Sequence, residues 1–273
     1  MAIIAISRQV AALGDEIAGE VAKRLGYSFV GRQAIEKKIV ELGFPAEKLS
    51  KYDERKPGFF ASLAKDRDEY LNYLQTAVLE AASQQNCILI GRGSFVILED
   101  IPNLISLRFV AAESIRLKRL MNEFSWDEKQ AQQRIDESDL NRTGFHKSFF
   151  NLSNDDSDQF HLVMNTGILD INSGSDVIVN LVNTLITPEL EATGKKKLDE
   201  LLVAQHLVNT LIFKHKINIS FLKAVVTDAQ IVLQGVADSS ALVEKAISIS
   251  KELMPNYTVE SAISIVQDFK SYP

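Results

Sequence analysis

The side chains best suited to chemistry in this chain of 273 residues are arginines that lie beside glycines or share a helix face. Arg92 stands between Gly91 and Gly93, directly after the apolar run Cys87–Ile90. At the carboxyl edge of a parallel sheet, such an arginine points into the ligand crevice, where its guanidinium fork suits a phosphate. The alternative is a turn flanked by glycines, in which Arg92 makes a surface ion pair.

Four further residues could handle the charge of a transferred phosphoryl group. Arg116 and Arg119 lie three positions apart on one predicted helix, where they could face a triphosphate or form a solvated helix face. A second helix is predicted over residues 125–139 with its N-cap at Ser125, and Asp139 and Arg142 stand at its end and just beyond it. An arginine brought over the phosphates would stabilise the charge that spreads onto the transferred group. Ion pairing at the end of the helix explains the same two residues equally well.

Three other polar residues carry weaker signals. Lys37 lies on a helix predicted over residues 31–42, where it could meet the α-phosphate of an acceptor or be an ordinary exposed lysine. Ser7 and Arg8 end the first predicted strand, so Arg8 could replace a phosphate-binding lysine or be a surface residue. The four histidines show no spacing typical of metal ligands, and the sequence therefore predicts no metal site.

The amino-terminal elements must position most of these groups. The apolar run Ile3–Ile6 predicts a strand buried on both faces of a parallel sheet. A helix follows from Asp15, with apolar residues at helical spacing, and Gly26 ends it. A strand, a tight loop and a helix in this order form the place where P-loop proteins hold the phosphates of a nucleotide.

The loop itself departs from the phosphate-binding pattern G-x-x-x-x-G-K-[ST], which needs glycines, a lysine and a hydroxyl. The segment Ala11–Leu13 has no glycine, and Asp15 and Glu16 follow Gly14 where Lys and Ser/Thr would stand. Two carboxylates repel a polyphosphate unless a metal intervenes. The pair could bind a divalent ion, although the first turn of a helix favours acidic residues without any ligand. The sequence thus predicts a kinase architecture with a weakened phosphate site.

The wider pattern predicts two domains. Strands alternate with helices over residues 1–187, which indicates an α/β domain with a largely parallel sheet flanked by helices. Residues 188–197 (PELEATGKKK) mark a change in composition, and we predict a linker there. Residues 198–273 are predicted to form a small αββαβ domain with its own core.

Composition limits the possible partners and location. The net charge of −6 argues against general affinity for nucleic acid or for an anionic membrane. The single cysteine, Cys87, lies in an apolar run and is expected to be a buried structural thiol in a reducing compartment. We see no signal peptide, and no stretch reaches the length of about 18 apolar residues that a membrane span needs. We therefore expect a cytoplasmic protein, either a monomer or a homo-oligomer.

Residues 1–187 resemble the cytidylate kinase-like branch of the P-loop nucleoside monophosphate kinases. The resemblance rests on ISRQ…GDEIAGEVAKRLGY, on NCILIGRGSFVILEDIPNL followed by LRFVAAESIRLKRLM, on RIDESDLNR and on DQFHLVMNT. Members of this branch transfer a phosphoryl group from ATP·Mg²⁺ to CMP or dCMP. The branch commonly shows S-R-x-x-G-S-G-G in the phosphate loop, and this chain lacks the first three residues of G-S-G-G, so we expect weak or lost activity.

The resemblance assigns roles to the residues named above. Residues 7–16 would be the phosphate loop, and Lys37 and Arg92 would lie in the acceptor site. Arg32 stands at one of two positions where cytidylate kinases usually carry an Asp-Ser pair that helps to place the acceptor. Catalysis would depend on the backbone amides of the loop and on side chains from three segments, namely Arg92, Arg116, Asp139 and Arg142.

The carboxyl-terminal domain resembles a BON-type domain, on the pattern of INISFLKAVVTDAQIVLQGVADSSALVEKAISISKELMPNYTVESAISIV. Such domains are associated with binding membranes, other proteins or small ligands. This resemblance implies a second hypothesis for the whole chain. It would be a non-catalytic regulatory module that binds a nucleotide or another small ligand and docks a partner through the BON-like domain.

Overall fold

The computed structural model describes residues 2–52, 64–153 and 156–266. The chain divides into two units, Met1–Lys195 and Lys196–Pro273. The division lies inside the helix Pro188–Asn209, so the residues 188–197 that we predicted as a linker are helical. Their polar composition is therefore that of a largely solvent-exposed helix.

A five-stranded sheet, parallel throughout, forms the frame of the first unit. Its strands are β1 (Ile3–Arg8), β2 (Ser28–Val30), β3 (Cys87–Ile90), β4 (Leu104–Val110) and β5 (Leu162–Asn165). Their order is β2-β3-β1-β4-β5, which places β1 at the centre. This confirms the predicted α/β fold class, and it brings the carboxyl ends of β1, β3 and β4 to one edge of the sheet.

Helices flank this sheet and connect its strands. They are α1 (Gly14–Leu25), α2 (Arg32–Glu41), α3 (Ala64–Ser83), α4 (Ser94–Ile97), α5 (Glu113–Phe124), α6 (Glu128–Phe150), α7 (Ile171–Leu185) and α8 (Pro188–Asn209), with 3-10 turns at Ala46–Tyr52 and Ser157–Gln159. The sequence predicts α3 from Phe59, and residues 59–63 lie outside the described part of the chain.

Burial explains why the central strand forms where the sequence predicts it. All residues of Ile3–Ile6 are at most 1% exposed, as expected for a strand covered on both faces. One face packs against the apolar sides of α1 and α7 through Ile17, Val21 and Ile178. Gly26 ends α1 in the left-handed conformation, and its N–H donates to the carbonyl of Ala22.

Helix α6 differs from the prediction at both ends. The sequence suggests an N-cap at Ser125, but Ser125 has φ 54° and closes the preceding helix, so it cannot take the extended conformation of an N-cap. Asp127 is the N-cap and forms a capping box with Gln130. The helix does not end near Asp139 but continues to Phe150, because its last turns bury aromatic side chains. The predicted loop around Asp139 is therefore helical.

The second unit has a three-stranded sheet of its own. Its elements are the end of α8, a π-helical turn at Thr210–Lys214, β6 (Ser220–Thr227), β7 (Gln230–Ala237), α9 (Ser240–Leu253) and β8 (Thr258–Ile265). Strand β7 pairs antiparallel with β6 and parallel with β8, over a core that includes Leu211, Ile231 and Ala246. The predicted αββαβ order is confirmed. No helix in the described part of the chain combines the length and apolar character that crossing a membrane requires.

Candidate functional site

The loop between β1 and α1 takes a conformation that the sequence did not suggest. Ala11 has φ 57° and Leu13 has φ 56°, so two residues other than glycine are left-handed. A left-handed residue among right-handed ones turns successive backbone N–H groups toward one side, which creates a concavity that binds anions. The loop thus forms a backbone arrangement suited to phosphate without the usual glycines.

Arg116 of α5 holds the first carbonyl of this loop. Its Nε donates to the carbonyl of Val10 at 3.0 Å. Its two terminal nitrogens donate to both carboxylate oxygens of Asp139 on α6 at 2.8 and 2.9 Å. Arg116 is 3% exposed, so this guanidinium is committed to the loop and to Asp139 and does not face solvent.

Arg119 and Thr166 hold the next two carbonyls. Arg119 Nη1 donates to the carbonyl of Ala11 at 3.0 Å and to Thr166 Oγ1 at 3.1 Å. Thr166 Oγ1 donates in turn to the carbonyl of Ala12 at 3.0 Å. Thr166 is fully buried just after β5. The C=O and N–H of one peptide unit point in opposite directions, so the N–H groups of Ala11 and Leu13 face away from these donors.

Gly14 is required by a close approach at the start of α1. A Cβ at this position would lie 2.7 Å from Arg8 Cβ and 3.3 Å from Phe109 Cδ2. The first N–H groups of α1 have no acceptor within the helix and add to those of the loop. The geometry of this site therefore comes from the backbone of residues 10–16.

The side chains predicted to bind the donor phosphates have other partners. Arg8 Nε lies 3.2 Å from Asp15 Oδ2, so the charge of Arg8 is directed onto that carboxylate. Ser7 is buried, and its Oγ accepts from Nη1 of Arg108 at 3.3 Å. Glu16 is exposed. Among the described residues, no group of three His, Cys, Asp or Glu side chains is placed to bind a metal ion.

Arg142 lies one helical turn after Ser138 on α6, and its Nη1 donates to Ser138 Oγ. It is therefore part of a regular helix rather than of a separate loop. Asp139 lies on the same helix as Arg142 and reaches the loop through Arg116. The structure therefore brings together Arg116, Asp139 and the loop.

Two of the three predicted acceptor residues, Arg32 and Arg92, belong to a second group, in which Arg92 is 1% exposed. Arg92 Nη1 donates to the carbonyl of Tyr52 at 2.9 Å and to the hydroxyl of Tyr70 at 3.3 Å. Its Nη2 donates to Glu36 Oε1, and its guanidinium carbon lies 5.9 Å from the ring centroid of Phe145. Neither a solvent-exposed turn nor a surface ion pair describes this arginine.

Of the other two predicted acceptor residues, only Arg32 joins this group. Arg32 Nε donates to Glu36 Oε1 at 2.7 Å, so Glu36 links two arginines. The side chain of Lys37 is 80% exposed and lies 3.8 Å from Glu41. Lys37 therefore lies apart from Arg92, on the solvent side of α2.

Aromatic rings cover the Arg92 group. Tyr52 and Tyr70 stack with centroids 4.6 Å apart, and Phe149 contacts both rings. A Cβ on Gly93 would lie 2.2 Å from the ring of Phe150, so this ring rests directly on the glycine. The end of α6 thus supplies much of the cover.

Sequence reasoning missed three residues of these two groups. Thr166 gives no local signal, because its partners lie more than 40 positions away. Glu36 reads as an ordinary surface partner of Arg32 at i,i+4 spacing. Arg108 is 7% exposed on β4, and its guanidinium lies 5.7 Å from the ring of Phe160. An arginine within the largely apolar run Leu104–Val110 was the one available signal.

The sequence of this chain matches a known family, and its fold matches solved structures. The sequence profile of the cytidylate kinase-like family matches residues 3–168. Among curated proteins, no sequence matches the chain. An uncharacterised protein from Eubacterium ventriosum ATCC 27560 has a similar structure, with a TM-score of 0.53 and 20% identity over 67% of this chain and 98% of the other, which shows the fold.

Two kinases also have related structures at lower similarity. Shikimate kinase from Bacteroides thetaiotaomicron has a TM-score of 0.41 and 13% identity over 67% of this chain and 98% of its own. A gluconokinase from Sinorhizobium meliloti 1021 has a TM-score of 0.43 and 13% identity over 67% and 93%.

Proposed function

Because the chain belongs to the cytidylate kinase-like family, we propose that it transfers a phosphoryl group from ATP·Mg²⁺ to CMP, dCMP or a related nucleoside monophosphate, at a reduced rate. The observation that carries this proposal is the loop over residues 10–16. Three of its carbonyls are held on one side by Arg116, Arg119 and Thr166. The N–H of Ala12 donates to the Gln9 carbonyl, and the N–H groups of Ala11 and Leu13 point away from the three donors.

The donor phosphates would bind these amides and the first turn of α1. Left-handed Ala11 and Leu13 supply the concave backbone, and the helix dipole adds a favourable field for negative charge. Mg²⁺ would arrive with the ATP, and it would neutralise part of the charge that develops on the phosphates during transfer. The chain's own part is to orient the phosphates through fixed backbone donors, which require no reorganisation during the reaction.

The side chains would divide the remaining roles between them. Arg116 and Asp139 hold the loop in shape, and Arg142 supplies a positive charge from the same helix as Asp139. Arg32 and Arg92, on the neighbouring elements, would bind the acceptor, whereas Lys37 is exposed on the solvent side of α2 and would take no direct part. The lysine that contacts the β- and γ-phosphates in other P-loop proteins has no counterpart here, and losing one such donor lowers rates by about 10²–10³.

A second candidate function is supported by the same two groups of residues. Arg92 is already bonded to Glu36, Tyr52 and Tyr70, and Arg8 is paired with Asp15. Such a chain would bind a nucleotide or another ligand without turnover and act as a regulatory module, with the BON-like domain docking a protein partner or a small ligand. The two functions share the binding step and differ in catalysis.

One experiment separates them. ADP release is measured with ATP, Mg²⁺ and each nucleoside monophosphate in turn, and thermal unfolding is followed with the same ligands. Turnover with a cytidine nucleotide supports the kinase, whereas a raised melting temperature without turnover supports the module. Absence of both effects would exclude nucleotide handling altogether.

Two glycines of α1 supply matched variants for that experiment. Gly14→Ala places a methyl group 2.7 Å from Arg8 Cβ and should abolish the ATP-dependent shift in melting temperature. Gly19→Ala adds the same methyl group where no atom lies within 4 Å and should leave the shift unchanged. Equal behaviour of the two variants would show that ATP does not bind at this loop.

A further inference from the structure

Glu36 is a single carboxylate placed between two arginines. Its Oε1 accepts from Arg32 Nε at 2.7 Å and also from Arg92 Nη2. The side chain of Arg92 is 2% exposed and that of Glu36 is 20% exposed. Two guanidinium groups that converge on one oxygen form a site for an anion, and the chain fills this site with a side chain of its own.

The surroundings strengthen this contact. The other terminal nitrogen of Arg92 donates to the Tyr52 carbonyl and the Tyr70 hydroxyl, and Phe145 lies over its guanidinium. The rings shield the guanidinium of Arg92 from water, and the attraction between opposite charges is larger where the local dielectric constant is low. Any other anion that binds Arg92 must therefore compete with Glu36.

We propose that Glu36 is a specificity-determining residue of the acceptor site, an internal anion that is displaced by a phosphate monoester with two negative charges and excludes ligands with one. This proposal rests on the proposed function, since it assigns Arg32 and Arg92 to the acceptor. A monoester phosphate carries a charge between about −1.5 and −2 at pH 7 and offers three acceptor oxygens, whereas Glu36 carries one charge and two oxygens. The doubly charged group therefore forms the stronger interaction with two guanidinium groups.

The test measures binding without ATP, by calorimetry, of two probes: CMP and its methyl ester, whose phosphate keeps only one charge. The wild type should bind CMP and reject the ester. In Glu36→Gln the competing charge is absent, so CMP should bind at least about tenfold tighter, and the ester should gain more than CMP. A smaller difference in affinity between CMP and its methyl ester in Glu36→Gln than in the wild type would show that Glu36 determines this specificity.

Glu20→Gln is the matched control. Arg24 Nε lies 2.7 Å from Glu20 Oε1 at the same i,i+4 spacing, on α1 and away from Arg92. This variant makes the same change in net charge and should behave as the wild type does. If Glu36→Gln binds CMP no more tightly than Glu20→Gln, the role of Glu36 is disproved.

Because glutamine removes the charge of Glu36 beside buried Arg92, thermal unfolding of Glu36→Gln is measured first. Glu36→Asp is the second variant, since it keeps the charge but draws it back by one methylene. A folded Glu36→Asp should bind CMP more tightly than the wild type does, because its carboxylate lies farther from the two guanidinium groups, and equal binding overturns the proposal. Failure of the proposed kinase function is seen separately, as absence of ATP binding and of turnover in the wild type.

Discussion

Arg116 and Asp139 form an ion pair through two parallel hydrogen bonds, at 2.8 and 2.9 Å, and the same arginine donates to the Val10 carbonyl in the loop between β1 and α1. The pair joins α5 to α6, and Arg116 holds the carbonyl of Val10 by a hydrogen bond. Arg116 is almost completely buried, while the side chain of Asp139 is 39% exposed. The conformation of the loop therefore depends on a carboxylate 23 residues beyond the arginine.

The first prediction follows from that pair. Asp139→Asn removes the charge opposite buried Arg116 and should lower the free energy of unfolding by about 1–3 kcal/mol. ATP should then bind more weakly, because the guanidinium no longer holds the Val10 carbonyl in place. Urea unfolding and calorimetry with ATP measure the two effects.

Asp136→Asn is its control on the same helix. Asp136 is exposed and accepts only from Gln132 among its described neighbours, at 3.0 Å. Its substitution should change the free energy of unfolding by less than about 0.5 kcal/mol. Equal losses in the two variants would mean that the Arg116 pair has no special role.

A second prediction concerns Thr166. Thr166→Val removes the hydroxyl that donates to Ala12 and accepts from Arg119, and it should destabilise the fold by about 1–3 kcal/mol and weaken ATP binding. Thr76→Val is the control, because Thr76 is equally buried and its hydroxyl donates to Asn72 within its own helix. Unchanged ATP affinity in Thr166→Val would refute the positioning role.

Third, the two left-handed residues of the loop should carry strain. Ala11→Gly removes a Cβ that opposes positive φ, and it should raise the free energy of unfolding by about 0.5–1 kcal/mol. Ala12→Gly, at a neighbouring buried position that does not have positive φ, should lower it by about 1 kcal/mol. Chemical denaturation of both variants decides, and a loss of stability in Ala11→Gly contradicts the loop geometry.

The sequence predicts those features of the fold that leave a local pattern. The strands Cys87–Ile90 and Leu104–Val110 follow from apolar runs, because burial on both faces leaves a local pattern. The α/β class and the αββαβ order of the second unit follow from such patterns. Arg92 and Arg116 are brought to attention by a flanking glycine and by helical spacing, but their roles in a site stay predictions. All these signals lie within a few positions of the residue.

The remaining features depend on contacts that no short stretch of sequence contains. Arg92 binds Tyr52, 40 positions away, and this partner decides that the arginine is buried rather than exposed. Leu13 takes positive φ although it is not glycine, because neighbouring elements hold the loop carbonyls in place. Ser125 satisfies the sequence rule for an N-cap but closes α5 instead, so the wrong start of α6 reflects a competing local role.

The fourth prediction tests the aromatic cover over Arg92. Gly93 has φ +66°, and an added Cβ would lie 2.2 Å from Phe150, so Gly93→Ala should destabilise the fold by at least about 2 kcal/mol. In the Phe150→Ala background the added methyl group no longer meets the ring, although the backbone strain remains. Gly93→Ala should therefore cost less stability in that background than it does in the wild type. A double-mutant cycle in urea measures this coupling, and additive effects would show that the ring does not rest on Gly93.

The fifth prediction concerns the pH dependence of stability at Cys87. Complete burial in β3 raises the pKa of this thiol to about 12, because the thiolate would lose its hydration. The unfolded chain exposes a thiol with a pKa of about 8.5, so above that pH the unfolded state releases a proton that the folded state keeps. The contribution of the thiol to the free energy of unfolding is therefore fully present below about pH 8. It falls between about pH 8.5 and 12, by about 1.4 kcal/mol for each pH unit. Burial also raises the pKa of Tyr27 and Tyr73, and their effect begins above pH 10.

Urea unfolding between pH 8 and 10 isolates the thiol: the wild type should lose stability with this slope, and Cys87→Ala, although less stable throughout, should show a flat profile. Parallel profiles for the two proteins would mean that the thiol reaches solvent in the folded state.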